Sequence, residues 1–98
     1  MKADLRLGRW QDVLADVGEC QTLYSDPPFS ARTHEGYRSG DDFNRNNRIT
    51  YPPLTEAEAH TFAVAWASRV HGWVVLHCDH VAFRWHEAAW LAAGFYGF

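Results

Sequence analysis

The sequence predicts an α/β fold in which three to four mostly parallel strands carry helices packed against them. Apolar runs of strand length alternate along the chain with segments whose apolar residues have helical spacing, and this alternation is typical of parallel sheets. With 98 residues, the chain has the size of a single domain spanning residues 1–98. A chain of this length buries roughly two-thirds of its surface at most, which excludes a large two-lobed enzyme.

The first elements are predicted from short apolar patterns. Leu5–Leu7 alternates and predicts a short strand, while Trp10–Val17 has helical spacing and predicts a helix that Gly18 ends. Cys20–Tyr24 predicts a buried strand. This strand must end before Pro27–Pro28, because two consecutive prolines remove two backbone donors.

Residues 30–53 are polar and rich in turn formers, which predicts a long loop within the domain. A helix follows it, because Thr55 and Glu58 have the spacing of a capping box and Leu54 is placed for a hydrophobic staple. One apolar stripe extends this helix to about Arg69; it comprises Ala59, Phe62, Ala63, Trp66 and Val70.

The last elements are a strand and a helix. His71–Gly72 is expected to break the preceding helix, and the continuous apolar run Trp73–Leu76 predicts a strand covered on both faces. Asp79 can cap a final helix that Gly94 ends, and Phe95–Phe98 predicts a further strand. The shared apolar face of that helix comprises Ala82, Trp85, Ala88, Ala89 and Ala92. Core positions are predicted for Trp66, Trp73, Trp85 and Trp90.

Composition and charge limit the class of protein. Hydrophobic residues make up 47% and charged residues 21% of the chain, which is a globular composition. No run of about 18 apolar residues occurs, so no membrane-spanning helix is expected. The net charge of −3 argues against a simple cationic nucleic-acid binder. Two cysteines, Cys20 and Cys78, are too few for a disulfide scaffold, so reduced thiols and a cytoplasmic location are expected.

The string Asp26–Phe29 combines rigid acceptors with an aromatic face at the end of a predicted strand. Pro27 and Pro28 fix the turn and offer no N–H group, so their carbonyls stay free as acceptors. Asp26 adds a carboxylate, and Phe29 offers a flat face for stacking. Such a cluster suits a planar ring with an exocyclic amino group, whose lone pair it would direct toward an electrophile. A plain strand-ending turn is the alternative.

These residues resemble a known family. Leu7–Trp10, Val13–Leu14 and Thr22–Phe29 look like the opening of the amino-methylating DNA methyltransferases, which act on adenine N6 or cytosine N4. The resemblance implies a partial Rossmann-like sheet, S-adenosylmethionine as cofactor, DNA as partner and a base flipped from the duplex. It also implies roles in restriction-modification or phage self-protection.

Carried over by position, the resemblance assigns the catalytic site to Asp26, Pro27, Pro28 and Phe29. Asp26 and the Pro27 carbonyl would hold the amino group, Asp26 would also border the cofactor, and Phe29 would stack on the base. Asp in the first position favours adenine, because cytosine-N4 members more often have Ser there.

The sequence departs from the family in two respects. Arg9 stands where the family usually has Asp, and no glycine-rich cofactor loop follows a predicted strand. The resemblance therefore implies only the catalytic half of the enzyme, with a missing C-terminal half or a partner subunit, or a degenerate remnant.

The polar segment 30–53 concentrates positive charge after the candidate site. It contains four of the nine basic residues, Arg32, Arg38, Arg45 and Arg48. They belong to a solvated loop or contact phosphates beside a flipped base. Thr33, His34, Tyr37 and Asn44 could join that contact, whereas Tyr51–Leu54 is interpreted as the lead-in to the following helix.

The string His77–His80 suggests a metal site, which Cys20 and His71 could approach. Zinc requires three or four ligands in a defined geometry, and no second paired motif is present. The preferred interpretation makes Asp79 a helix cap and the histidines rim residues. The deaminase signature is absent as well.

Two functions remain open from the sequence. The first is an adenine-N6 DNA methyltransferase, whole or truncated. The second is a non-catalytic α/β fragment that binds nucleic acid or a protein partner.

Overall fold

The computed structural model describes residues 2–38 and 51–97, and this part of the chain is an α/β fold with a two-stranded parallel sheet. Its elements are α1 (Trp10–Val13), β1 (Cys20–Ser25), α2 (Ala31–Arg38), α3 (Glu56–Ala67), β2 (Val70–Leu76) and α4 (His80–Ala92). The predicted α/β class and parallel pairing are confirmed. The described residues contain two strands, fewer than the three to four predicted. None of their helices is long and apolar enough to cross a membrane.

The sheet joins two segments that are distant in sequence. Cys20 lies opposite Val70 and Ser25 opposite Leu76, with an irregularity in the pairing between Cys20 and Thr22. Parallel strands require a crossover that returns the chain to the same end of the sheet, and α3 lies in that crossover. The carboxyl ends of both strands therefore meet at one edge.

The helix α3 begins where the sequence predicts. The side chain of Thr55 accepts a hydrogen bond from the Glu58 N–H at 3.2 Å, and the Glu58 carboxylate accepts one from the Thr55 N–H at 3.2 Å. This reciprocal pair is the predicted capping box. The helix ends at Ala67, slightly before the predicted end at Arg69.

The core lies between α3, α4 and one face of the sheet. Its main cluster of buried residues comprises Ala63, Trp66, Val70, Ala89 and Trp90, and a second cluster comprises Leu54, Ala59 and Ala82. The predicted stripe of α3 is confirmed for Ala59, Ala63 and Trp66, and Phe62 is partly buried against the core, whereas Val70 is buried as the first residue of β2 and not as part of the helix. On α4 the prediction holds for Ala82 and Ala89, while Ala88 and Ala92 are exposed.

The amino-terminal segment differs from its prediction. Leu5 and Leu7 are almost fully exposed and form no strand, because no described segment pairs with them. The helix predicted for Trp10–Val17 ends at Val13, before Gly18 is reached. Trp10 still packs on α3, with its ring edge-to-face against Phe62 at 5.3 Å between centroids.

Three further predictions are corrected. The helix α2 lies at the start of the segment predicted as a loop, and residues 39–50 of that segment lie outside the described residues. The pair His71–Gly72 lies inside β2 instead of breaking a helix. Gly94 does end α4, with a φ of 94°, but residues 95–97 form no strand.

Described helices cover only one face of the sheet, and the other is called the open face; this corrects the predictions that Trp73–Leu76 is a strand covered on both faces and that Cys20–Tyr24 is a buried strand. Tyr24 is 65% exposed and Trp73 is 63% exposed on this face, whereas Leu23 and Val74 pack against the core. The core position predicted for Trp73 is therefore wrong. The physical reason is that α3 and α4 pack on the other face, so alternate strand residues point away from them.

Candidate functional site

The two sequence segments predicted to carry chemistry meet at the carboxyl edge of the sheet. Asp26–Phe29 follows β1, and His77–Asp79 follows β2. The His77 N–H donates a hydrogen bond to the Ser25 carbonyl at 3.0 Å, which continues the pairing beyond the last strand residue. In open α/β sheets this edge is where ligands bind.

The four predicted catalytic residues line one pocket. The pocket has a volume of about 400 Å³, and its walls are Asp26, Pro27, Pro28, Phe29 and Tyr51. The sequence predicts that Tyr51 belongs to the lead-in of α3. The structure shows why it also lines the pocket, because the Leu54 N–H donates to the Phe29 carbonyl at 2.9 Å and aligns the two segments.

Two acceptors of this pocket, the Asp26 carboxylate and the Pro27 carbonyl, have no hydrogen-bond donor among the described residues. Asp26 is exposed, and no described residue donates a hydrogen bond to its carboxylate. The Pro27 carbonyl accepts no hydrogen bond from the described backbone. Since neither proline has an N–H, the turn presents acceptors without competing donors. The pocket can therefore receive hydrogen bonds from a donor group such as an aromatic amine.

Asp79 ties the segment after the pocket to α4. One carboxylate oxygen accepts hydrogen bonds from the Ser30 N–H at 2.9 Å, the Ser30 hydroxyl at 2.6 Å and the Thr33 hydroxyl at 2.5 Å. The other oxygen caps α4 by accepting from the Ala82 N–H at 2.8 Å. The predicted helix cap is confirmed, and the link to Ser30 is additional.

Asp79 is held as a carboxylate by these bonds. Burial alone would raise the pKa of Asp79, but the hydrogen bonds donated by Ser30, Thr33 and Ala82 outweigh it and lower the pKa well below its usual value. Burial, and then the negative charge of Asp79, raise the pKa of the neighbouring Cys78. Cys78 is therefore a poor candidate for a thiolate nucleophile.

A second polar pair lies at the same edge, on the open face. The Tyr24 hydroxyl and the His77 Nε2 are in hydrogen-bonding contact, and their rings pack edge-to-face with centroids 5.2 Å apart. Sequence reasoning missed this pair because the two residues are far apart in the chain. Only the register of β1 against β2 brings them together.

The predicted metal-site neighbours are separated by the sheet. Cys20 and His71 lie at the amino ends of the strands, opposite to His77–His80, so their predicted proximity is wrong. His71 instead lies 3.3 Å from the Glu19 carboxylate. Among residues 2–38 and 51–97, no three His, Cys, Asp or Glu side chains are grouped to hold a metal ion.

The candidate phosphate contacts are only partly placed. Arg32 is exposed on α2, immediately after the pocket, and Arg38 is the last residue of that helix. Thr33, a predicted phosphate contact, uses its hydroxyl on Asp79 instead. His34 and Tyr37 also belong to α2. Asn44, Arg45 and Arg48 lie outside the described residues.

Comparison with known proteins matches the chain to no family model, no curated protein and no solved structure.

Proposed function

We propose that the chain is the catalytic half of an adenine-N6 DNA methyltransferase that uses S-adenosylmethionine and has a Rossmann-like sheet. One observation carries the proposal: Asp26, Pro27, Pro28 and Phe29 line a single pocket at the carboxyl end of a parallel strand. Within the described part of the chain, the Asp26 carboxylate and the Pro27 carbonyl accept no hydrogen bond, and Phe29 gives the pocket an aromatic wall. This is the arrangement that the family resemblance requires of these residues.

In this proposal the chain's own residues hold and orient the base. Asp26 accepts one hydrogen bond from the exocyclic amino group and the Pro27 carbonyl accepts the other, which turns the nitrogen lone pair out of the ring plane. Phe29 stacks on the flipped base, and Arg32 lies beyond it toward the backbone phosphates. Hydrogen bonds to a charged group contribute about 1.5–3 kcal/mol each, so Asp26 contributes most to holding the base.

The cofactor is not accommodated by the described residues. S-adenosylmethionine would supply the methyl group, but the described glycines do not form a loop that follows a strand and opens a helix. Gly18 precedes β1, Gly72 lies within β2 and Gly94 ends α4. The proposal therefore assigns cofactor binding to a second half or a partner subunit, and assigns to this chain the holding of the amino group.

The test compares two oligonucleotides and two variants. Fluorescence anisotropy measures binding of the chain to single-stranded DNA that carries one adenine, or purine without the amino group at the same position. We expect Asp26→Ala to weaken binding to the adenine strand about tenfold or more and to leave the purine strand unchanged. Asp12→Ala is the control, because Asp12 is an exposed carboxylate on α1 that does not line the pocket. Equal affinity for the two strands would refute the amino-group clamp.

A second candidate is a non-catalytic fragment that binds a protein partner. The open sheet face favours it, since Tyr24 and Trp73 are large side chains left exposed there. The two oligonucleotides separate the candidates: tighter binding of the adenine strand supports the amino-group clamp, and equal affinity for the adenine and purine strands supports the non-catalytic fragment. Calorimetry tests where the cofactor binds: the proposal expects no heat when S-adenosylmethionine is added to this chain alone, and heat would move the cofactor site into the chain.

A further inference from the structure

A groove runs along β2 on the side away from β1. Its volume is about 700 Å³, and every residue of β2 from Val70 to Leu76 lines it. The opposite wall comes from α4 and the turn after it, including Phe83, Trp90 and Phe95. The groove is therefore elongated, because it follows a seven-residue strand that spans about 23 Å at 3.3 Å per residue.

Within residues 2–38 and 51–97, the edge of β2 that forms the floor of the groove pairs with no other strand. The Ser25 carbonyl accepts from the His77 N–H, and backbone groups alternate in direction along a parallel strand. The N–H and C=O groups of Val74 and Leu76 therefore point away from β1, into the groove. No described residue forms a hydrogen bond with them there. Such an edge is a template for another strand.

His86 supplies an independent sign that something is missing from the groove. Its side chain is 5% exposed and belongs to the groove wall, yet neither ring nitrogen has a hydrogen-bond partner in the described part of the chain. Buried polar groups in native proteins are nearly always paired. Trp90, one helical turn further along the same wall, also has a buried indole N–H that no described residue accepts.

We propose that this groove binds an extended segment of a partner polypeptide, about seven residues long, which adds to β2 as a third strand. The unpaired edge needs a ladder of backbone donors and acceptors, which only another strand supplies along its whole length. The apolar wall of α4 selects apolar side chains at alternate positions of the segment. A polar side chain at one position faces His86. This inference does not depend on the methyl-transfer proposal.

The test uses the full chain and an array of blocked seven-residue peptides that alternate apolar and threonine residues. Each binder is resynthesised twice, with alternate amides N-methylated in one set or in the other. Strand addition uses only one set of amides, so we expect one methylated version to bind at least about tenfold more weakly and the other to bind as before. Equal loss from both versions, or no binding at about 1 mM, would overturn the proposal.

Two matched variants locate the binding. Leu91 and Val64 are both exposed apolar residues on helices, but only Leu91 lines the groove. We expect Leu91→Glu to weaken peptide binding about tenfold and Val64→Glu to leave it unchanged. Equal effects of the two would refute the location. Sedimentation velocity tests whether a second copy of this chain occupies the groove. A dimer that Leu91→Glu abolishes would assign the groove to that second copy and overturn the proposal of a partner strand.

Discussion

Replacing Asp79 with alanine tests how the candidate site is held in place. Asp79 accepts four hydrogen bonds, three on one oxygen from Ser30 and Thr33, and one on the other from the Ala82 N–H. The substitution removes the cap of α4 and, at the same time, the anchor of the segment that follows the pocket. Both losses arise from one carboxylate, so the effect should exceed that of an ordinary cap.

The magnitude follows from the two roles. Loss of an N-cap acceptor costs about 1 kcal/mol. Ser30 is 1% exposed, so its N–H and hydroxyl would be left buried without an acceptor, which costs about 1–3 kcal/mol. We therefore expect Asp79→Ala to lower the free energy of unfolding by about 2–4 kcal/mol. This is a large part of the roughly 5–15 kcal/mol that stabilises a domain of this size.

Urea denaturation followed by circular dichroism measures this loss. Asp79→Asn is the informative comparison, because the asparagine side chain has a single carbonyl oxygen, which can accept from the Ala82 N–H or from the Ser30 hydroxyl but not from both. This substitution should lower the free energy of unfolding by about 1–3 kcal/mol. Ser30→Ala combined with Asp79→Ala should be less destabilising than the sum of the two single changes, because the residues are in direct contact. A loss below about 0.5 kcal/mol for Asp79→Ala, or strictly additive losses, would refute the reasoning.

Three further predictions address the fold. A Cβ at Gly72 would lie 2.5 Å from the Gln21 carbonyl oxygen. Gly72→Ala should therefore lower the free energy of unfolding, measured by urea denaturation, by about 1–3 kcal/mol. A Cβ at Gly18 would have no atom within 4 Å, so Gly18→Ala is the control and should leave the free energy of unfolding unchanged. Burial lowers the pKa of His86, and the negative charge of Asp79 opposes this with a smaller effect. As the pH falls, His86 is therefore protonated in the unfolded chain before it is protonated in the folded one. The free energy of unfolding should decrease as the pH drops below about 6.5. A pH series of thermal midpoints checks this, and His86→Phe should flatten the profile between pH 5 and 7 if the reasoning holds. Thr55→Ala should lose about 1 kcal/mol of stability, and an unchanged urea midpoint would refute its role as a cap.

The elements predicted correctly are those whose signals are local. The capping box of Thr55 and Glu58, the stripe of α3 and the cap at Asp79 each lie within a few turns of sequence, and the structure confirms them. The parallel pairing of β1 and β2 follows from the alternation of strands and helices. The clustering of Asp26–Phe29 in one pocket is equally local, since a single rigid turn carries all four residues.

The errors arise where tertiary contacts decide. Leu5–Leu7 alternates like a strand, but a strand needs a neighbour, and no described segment pairs with it. Trp73–Leu76 is continuously apolar, which favours burial on both faces, yet described helices cover only one. Tyr51 reaches the pocket only because Leu54 pairs with the segment after Phe29. A single sequence has no signal for such contacts.

The helix α4 forms a wall of the groove and is linked through Asp79 to the segment that follows the pocket. Asp79 caps α4 and holds Ser30, directly after the pocket, while Trp90 and His86 of the same helix form the groove wall. A strand bound along β2 would pack against α4 and fix its position over the sheet. Asp79 caps α4 and binds Ser30 and Thr33. The position of α4 therefore also fixes where α2 begins and where the chain leaves the turn Asp26–Phe29. The partner strand and the amino-group clamp are therefore compatible, since the first would stiffen the support on which the second depends.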